Sequence, residues 1–315
     1  MTHSSNISAE SIPVWNALNN ALEQERFPQM LLLDGSDGIG KKLIAMDLAK
    51  ILCEQSNEPL IWLIPLDGEA KDRDTLAKVD ARIAELSQKF IKNPFHIGYI
   101  TDSAMISVGM VENLMKNFEL KASGNRVVII TNADLMNEPS ANKLLKTFEE
   151  VPPNTYFILT ATSRHLLLPT IRSRSTCFSV PSASKGEVSR ILAAYGYSVS
   201  ADDIWEFAAG SVGKAMLALD SNYLELKEKI AIYANHALNG DASAAILYAG
   251  EIDKSVNTVA FFLEGLALYL IKKNNPKYLV HIHSINFLLR AVLAKKFTTE
   301  HAIQNMALRM AQKEI

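Results

Sequence analysis

The sequence predicts an α/β domain built on a parallel sheet, then a small helical domain, then an all-α domain. Three observations predict this. Short apolar, β-branched or leucine-rich runs alternate with helix-length segments between Met30 and Phe178, the layout of a parallel sheet with crossover helices. The first run, Met30-Leu31-Leu32-Leu33, enters a glycine-rich loop, Asp34 to Lys42, and then a helix. Strand signals stop at Pro181, and only helical periodicity follows. The expected domains are residues 1–181, 182–222 and 223–315.

Each element has a local reason. Val14, Leu18 and Leu22 give Ile12 to Gln24 one apolar face, and Arg26-Phe27-Pro28 interrupts that helix. After the loop a helix runs through Ile51. Glu54 to Pro59 reads as a loop and Leu60 to Pro65 as the second strand. Lys71 to Lys92 has helical period and many charges, so it is a helix with a solvated face. His96 to Ile100 reads as a short strand. Val108 to Phe118 is a helix that turns Met110, Val111, Leu114 and Met115 inward; these methionines, with Met136, pack as core. A turn at Ala122-Ser123-Gly124-Asn125 precedes the strand Val127 to Ile130. Glu138 to Glu150 is a helix with Ala141, Leu144, Leu145 and Phe148 on one face. Tyr156 to Leu159 is a strand, and a short helical segment leads to Ser173-Arg174-Ser175 and a last strand.

Beyond Pro181, Lys185 to Tyr195, Asp202 to Ala209 and Gly213 to Leu219 are short helices divided by Gly and Ser. Leu224 to Leu238, Ala242 to Ile252, Val256 to Lys272, Leu279 to Lys296 and Thr299 to Ala311 form a bundle with its own core.

Composition narrows the function. The chain has 315 residues, 48% of them hydrophobic, enough for more than one core. Lys and Arg number 32 against 34 Asp and Glu, a net charge of −2, which argues against a general nucleic-acid coat. Two cysteines, Cys53 and Cys177, are too few for a disulfide framework and read as small buried hydrophobes. The N-terminal stretch is polar without a signal-type apolar segment, and no apolar run is long enough to span a membrane. The expected setting is cytoplasmic.

Four sites could carry chemistry. Gly35, Gly40 and Lys41 match the phosphate-loop pattern G-x-x-x-x-G-K-[ST], but Lys42 stands where a hydroxyl would ligand Mg²⁺. The backbone and Lys41 could still hold a phosphate; a relic loop is the preferred reading. Thr131 and Asn132 follow the strand Val127 to Ile130, where a hydrolytic site needs carboxylates to hold the metal and orient water. Asp134 reads as a turn cap. Arg174 lies between serines at the mouth of a strand. It is a guanidinium for a γ-phosphate across an interface, or else a plain surface arginine or half of an Arg172/Arg174 pair serving a salt bridge. His281-x-His283 lies in helical surroundings with no nearby carboxylate or cysteine and is not read as a metal site. No Ser-His-Asp set can be assembled.

The run from Ser140-Ala141-Asn142-Lys143-Leu144-Leu145-Lys146-Thr147-Phe148-Glu149-Glu150-Val151-Pro152-Pro153, through Phe157-Ile158-Leu159-Thr160-Ala161-Thr162, to Leu168-Pro169-Thr170-Ile171-Arg172-Ser173-Arg174-Ser175 closely resembles bacterial clamp-loader AAA+ subunits. The likeness is to their A-N-x-L-L-K-x-L-E-E-P-P helix and S-R-C motif. A weaker likeness spans the chain from Met30 to the helical C-terminus. The degenerate loop and missing acids point, within the family, to its delta-prime branch.

The resemblance implies an AAA+ P-loop-type domain, a small helical lid and an all-α collar. It implies a ring that opens the sliding clamp and loads it on primed DNA during replication by DNA polymerase III. It implies a non-hydrolysing stator whose Arg174 reaches the ATP of a gamma/tau-type neighbour, with delta as a further partner. Thr162 falls near the family's sensor-1 threonine. Ser175 replaces the family's cysteine and leaves the arginine in place. The cysteine-built zinc module of many relatives is not expected, since only Cys53 lies in that region. The lid pattern G-S-x-R-x-A reads Gly210-Ser211-Val212-Gly213-Lys214-Ala215, so the nucleotide-sensing arginine is Gly213 here. No cofactor is expected. The competing readings are an ATP-hydrolysing gamma/tau-like motor subunit and a stand-alone DNA-binding protein.

Overall fold

A computed structural model describes residues 7–54, 56, 58–67, 73–97, 104–118, 123–198, 201–293 and 296–312. Helix α1 (Trp15–Glu23) precedes strand β1 (Met30–Asp34) and helix α2 (Lys41–Leu52). Then come β2 (Ile61–Leu63), β3 (Leu66–Asp67), α3 (Arg73–Lys92), β4 (Ala104–Met105) and α4 (Val108–Lys116). Strand β5 (Arg126–Ile130), α5 (Glu138–Glu149), β6 (Thr155–Ala161), α6 (Pro169–Arg172) and β7 (Thr176–Ser179) complete the α/β part.

Five strands pair in the order β2-β5-β6-β1-β7, and every pair is parallel. The central β1 and β5 are buried along their whole length, which is why they read as unbroken apolar runs rather than alternations. The edge strands β2 and β7 are only partly covered. On one face, Leu32, Val128, Ile130, Phe157 and Leu159 pack with Met110, Val111 and Leu114 of α4 and Ala141, Leu144 and Phe148 of α5. Met115 and Met136 pack against the same cluster. Phe157 meets Phe148 edge-on at 5.1 Å and Phe118 at 5.8 Å. Asn137 caps α5 by accepting the Ser140 N–H at 2.9 Å, and Ser140 Oγ donates to the buried Ile106 carbonyl at 2.7 Å.

The expected strand at His96 to Ile100 is not formed at His96 and Ile97, and its remainder lies outside the described residues. A separate two-stranded pair, β3 with β4, runs antiparallel instead. Two residues per strand are too short to leave a period in the sequence. The first helix begins at Trp15 rather than Ile12, because Ile12 precedes Pro13 and is extended. Cys53 and Cys177, expected to be buried, are each half-buried.

Helices α7 (Lys185–Ala194), α8 (Ala201–Ala208) and α9 (Val212–Asp220) follow. Then come α10 (Tyr223–Leu238), α11 (Ala242–Ala249), α12 (Val256–Lys272), α13 (Leu279–Leu293) and α14 (Thr299–Ala311). The chain divides into two compact units. Among the described residues, one comprises Met1–Ile97, Ser103–Ala201 and Ala209–Lys214; the other comprises Asp202–Ala208 and Ala215–Ile315. The second unit has its own core. Tyr233 is fully buried, donates to the Ile303 carbonyl at 2.6 Å and meets Phe262 edge-on at 4.9 Å. Burial in this apolar setting pushes its phenol far above the usual range.

Phe157→Ala removes the ring on which Phe118 and Phe148 converge. Its expected cost is about 3–5 kcal/mol, the range for deleting a buried aromatic. Denaturant unfolding of the full chain reads it as a lower midpoint.

Candidate functional site

The glycine-rich loop lies between the end of β1 and the start of α2, where a phosphate loop presents its N–H groups to an anion. Here the loop turns its own cation inward. Lys41 is only 6% exposed. Its ammonium donates to the carbonyls of Gly35 and Ser36, the latter at 2.8 Å, and lies 3.5 Å from the Asp37 carboxylate. Burial pulls the Lys41 pKa down, against the opposing pull of Asp37, Asp134 and Asp34. Lys42 points elsewhere. It donates to the His96 carbonyl at 2.7 Å and stands 4.1 Å above the Phe90 ring. Burial lowers its pKa from 10.5 to about 8. The position that would supply a metal-binding hydroxyl therefore supplies an ammonium already held by protein groups, and these residues do not fit a Mg²⁺–nucleotide.

The loop is also tied to the segment Ser211–Gly213. Ser211 Oγ donates to the Asp37 carbonyl at 2.6 Å, and the Gly213 N–H to the Gly38 carbonyl at 3.0 Å. Both glycines are required by this approach. A Cβ on Gly38 would meet Gly213 Cα at 2.8 Å, and one on Gly213 would collide with the Phe95 carbonyl oxygen. The position expected to lack a sensing arginine thus lacks room for any side chain.

At the strand tips, Asn132 adopts a left-handed conformation that asparagine tolerates. Its N–H donates to Thr160 Oγ1 at 3.1 Å, and its amide to Asp37 at 3.2 Å. Thr131 is 1% exposed, and its hydroxyl has no partner among the described residues. Asp134, expected to cap its own turn, accepts instead from the Thr162 N–H at 3.2 Å and from the Thr162 hydroxyl. At the end of β1, Arg164 grips Asp34 with Nε at 3.1 Å and Nη2 at 2.6 Å, and Ser179 donates to the same carboxylate at 3.2 Å. Burial raises the Asp34 pKa, but Arg164 and Ser179 outweigh it and hold the carboxyl below its ordinary value.

A second cluster forms where α6 turns into β7. Ser173 Oγ donates to the Thr170 carbonyl at 3.1 Å, and Ser175 Oγ to the Ile171 carbonyl at 2.9 Å. The two serines therefore close the end of α6 and fix the turn between them. Arg174 stands on that turn, exposed, with Nη1 donating to the Thr170 carbonyl at 3.0 Å and Nη2 to Glu149 Oε1 at 2.5 Å. Arg172 contacts His165 instead, so the two arginines do different things.

The structure thus gathers Lys41, Asn132 and their neighbours around Asp37, couples Thr162 to Asp134, and sets Ser173, Arg174 and Ser175 apart with Glu149. Asp37, Arg164 and Glu149 were not legible as site residues. The one available signal was Glu149 itself, a carboxylate at a helix C-terminus, where the helix field disfavours it. Among the described residues no group of three or more His, Cys, Asp or Glu could hold a metal ion. His281 is buried and His283 exposed on α13.

Two expectations follow. Lys42 binds its proton more weakly folded, at about 8, than unfolded, at the usual lysine value of 10.5, so the unfolded state holds more protons in that window, and Lys41 is shifted in the same direction. Stability should rise with pH across that window, and Lys42→Met should flatten the slope in urea titrations at successive pH values. Gly213→Arg should lower the melting temperature rather than create a working sensor, because its Cβ has no space; thermal unfolding with and without ATP reads both.

Comparison with known proteins places this geometry. The family model for DNA polymerase III, delta subunit, matches residues 11–184, more than half of the chain. The delta' subunit of Haemophilus influenzae DNA polymerase III is 37% identical over 99 residues, 31% of this chain and 30% of that protein. The delta' subunit of Escherichia coli is 43% identical over 58 residues, 18% of this chain and 17% of that one. The Bacillus subtilis tau subunit is 26% identical over 277 residues, 85% of this chain and 46% of that protein. The matches thus span less than half the length of these relatives. A crystal structure of a gamma subunit-related protein of DNA polymerase III from Thermotoga maritima superposes with a TM-score of 0.52 at 13% identity, covering 95% of this chain and 99% of that one. It shares the fold, a parallel sheet followed by helical segments. With the family model matched across the sheet, the loop and the arginine turn, the chain belongs to the DNA polymerase III delta-subunit family, on its delta-prime side.

Proposed function

We propose that the chain is a non-hydrolysing, delta-prime-type clamp-loader subunit that lends Arg174 to the ATP of a neighbouring subunit. One contrast carries the reading. Lys41, the cation a nucleotide would need, is spent on its own loop, whereas Arg174, the cation a neighbour would need, stands exposed on a fixed turn. Three further features support it. Thr131 and Asn132 offer no carboxylate at the tip of β5. The Thr162 hydroxyl is already donated to Asp134. Lys42 supplies no oxygen for a metal. The chemistry left to the chain is electrostatic. A planar guanidinium placed against a transferring phosphoryl group neutralises the charge that develops on its equatorial oxygens.

In this reading the partners are gamma/tau-type ATPase and delta subunits. The sliding clamp and primed DNA are met through the assembled complex, in the cytoplasm, as part of the polymerase III holoenzyme. No helix among the described residues is long and apolar enough to cross a membrane. The alternative is an ATP-hydrolysing motor subunit, favoured by the tau relative that aligns over 85% of the chain.

The two readings separate cleanly. Titration of the purified chain with ATP, with and without Mg²⁺, should show neither binding nor turnover; saturable Mg²⁺-dependent binding with turnover would establish the motor. In the reconstituted complex, Arg174→Ala should lower DNA-stimulated turnover at the served ATP site by orders of magnitude, as expected for an arginine supplied in trans. Clamp loading should fall with it. Unchanged ATPase and loading would remove the arginine assignment.

A further inference from the structure

We propose that Glu149 is a positioning residue that parks Arg174 and competes with the neighbour's phosphate for it. The inference rests on the proposed role of Arg174. Glu149 is the last residue of α5, where the unsatisfied carbonyls make the helix end negative and disfavour a carboxylate. Helix stability therefore does not account for it. What it does instead is meet Arg174 at 2.5 Å, with 33% of the arginine side chain and 52% of the glutamate side chain exposed. The Thr170 carbonyl takes the other terminal nitrogen. Both Nη atoms of the guanidinium are thereby engaged, and these are the atoms a bidentate contact with phosphate uses.

A triphosphate cannot share that fork with a carboxylate held against it, since the two anions would repel. Engagement of a neighbour's nucleotide therefore exchanges Glu149 for phosphate oxygens at Nη2. The turn need not move, because Ser173 and Ser175 fix it through their own bonds to α6. The parked pair also limits the unassembled subunit. An arginine neutralised by Glu149 attracts stray polyanions less than a bare one.

The experiment uses the full chain reconstituted with its partner ATPase subunits, clamp and primed DNA. Four versions are compared: wild type, Glu149→Gln, Arg174→Ala and the double variant. Glu149→Gln should raise kcat/KM for ATP by about two- to five-fold, the equilibrium weight of an exposed ion pair. The gain should shrink as salt rises. Glu149→Asp, which keeps the charge, should stay near wild type. In the Arg174→Ala background, Glu149→Gln should be silent, because Glu149 acts only through the arginine. A gain of activity from a surface substitution is not what a merely structural role yields. An unchanged or lowered kcat/KM in Glu149→Gln, or an equal gain without Arg174, overturns the parking role while leaving the arginine assignment standing. An inert Arg174→Ala overturns both.

Discussion

The buried ammonium of Lys41 governs the nucleotide-site half of this molecule. Its hydrogen bonds to Gly35 and Ser36 and its ion pair with Asp37 close the loop on itself. A buried cation is costly unless paired and hydrogen-bonded, so these partners are a condition of the fold rather than an ornament. Asp37 passes the constraint on to Asn132 at the tip of β5, and its carbonyl passes it to Ser211. Gly38 and Gly213 can then approach backbone to backbone. The loop, a strand tip and the segment after α8 are locked together by protein groups alone.

The same sheet leaves its other cation free of that lock. Arg174 sits beyond the core, on a turn whose hydroxyls are consumed locally, and its partner Glu149 is exposed. The contrast is one of environment. Lys41 lies buried, where the Gly35 and Ser36 carbonyls and the Asp37 carboxylate hold it in place. Arg174 lies near water, where an ion pair has little net weight and exchanges readily. A cation that must change partners during a cycle is better kept in the second setting.

Helix α5 links the two halves. Its inner face, Ala141, Leu144 and Phe148, packs on the sheet beneath β5 and β6, which fixes the strand tips around Asn132 and Thr160. Its last residue is Glu149. The apolar periodicity that made α5 easy to read is therefore also what sets the distance from the sheet to the arginine turn.

How much of this was legible in the sequence depended on the range of the interaction. The strands β1, β5 and β6, the helices that cover them and the bundle beyond Tyr223 followed from apolar period and turn residues, which act over a few neighbours. The missing acids at Thr131 and Asn132, the missing hydroxyl at Lys42 and the S-R-S turn at Arg174 were likewise readable, because each is a residue type at a fixed offset. The β3–β4 pair was not, since two-residue strands carry no period. Nor were the pairings Asp37–Asn132, Asp34–Arg164, Asp134–Thr162 and Arg174–Glu149. These join residues up to 130 positions apart, and a charge on the chain does not reveal its partner until the sheet brings the ends together. The sequence by itself determined which groups were present and which were lost. Only the tertiary structure decided which cation is consumed inside and which is left at the surface, because desolvation depends on what surrounds a side chain in space.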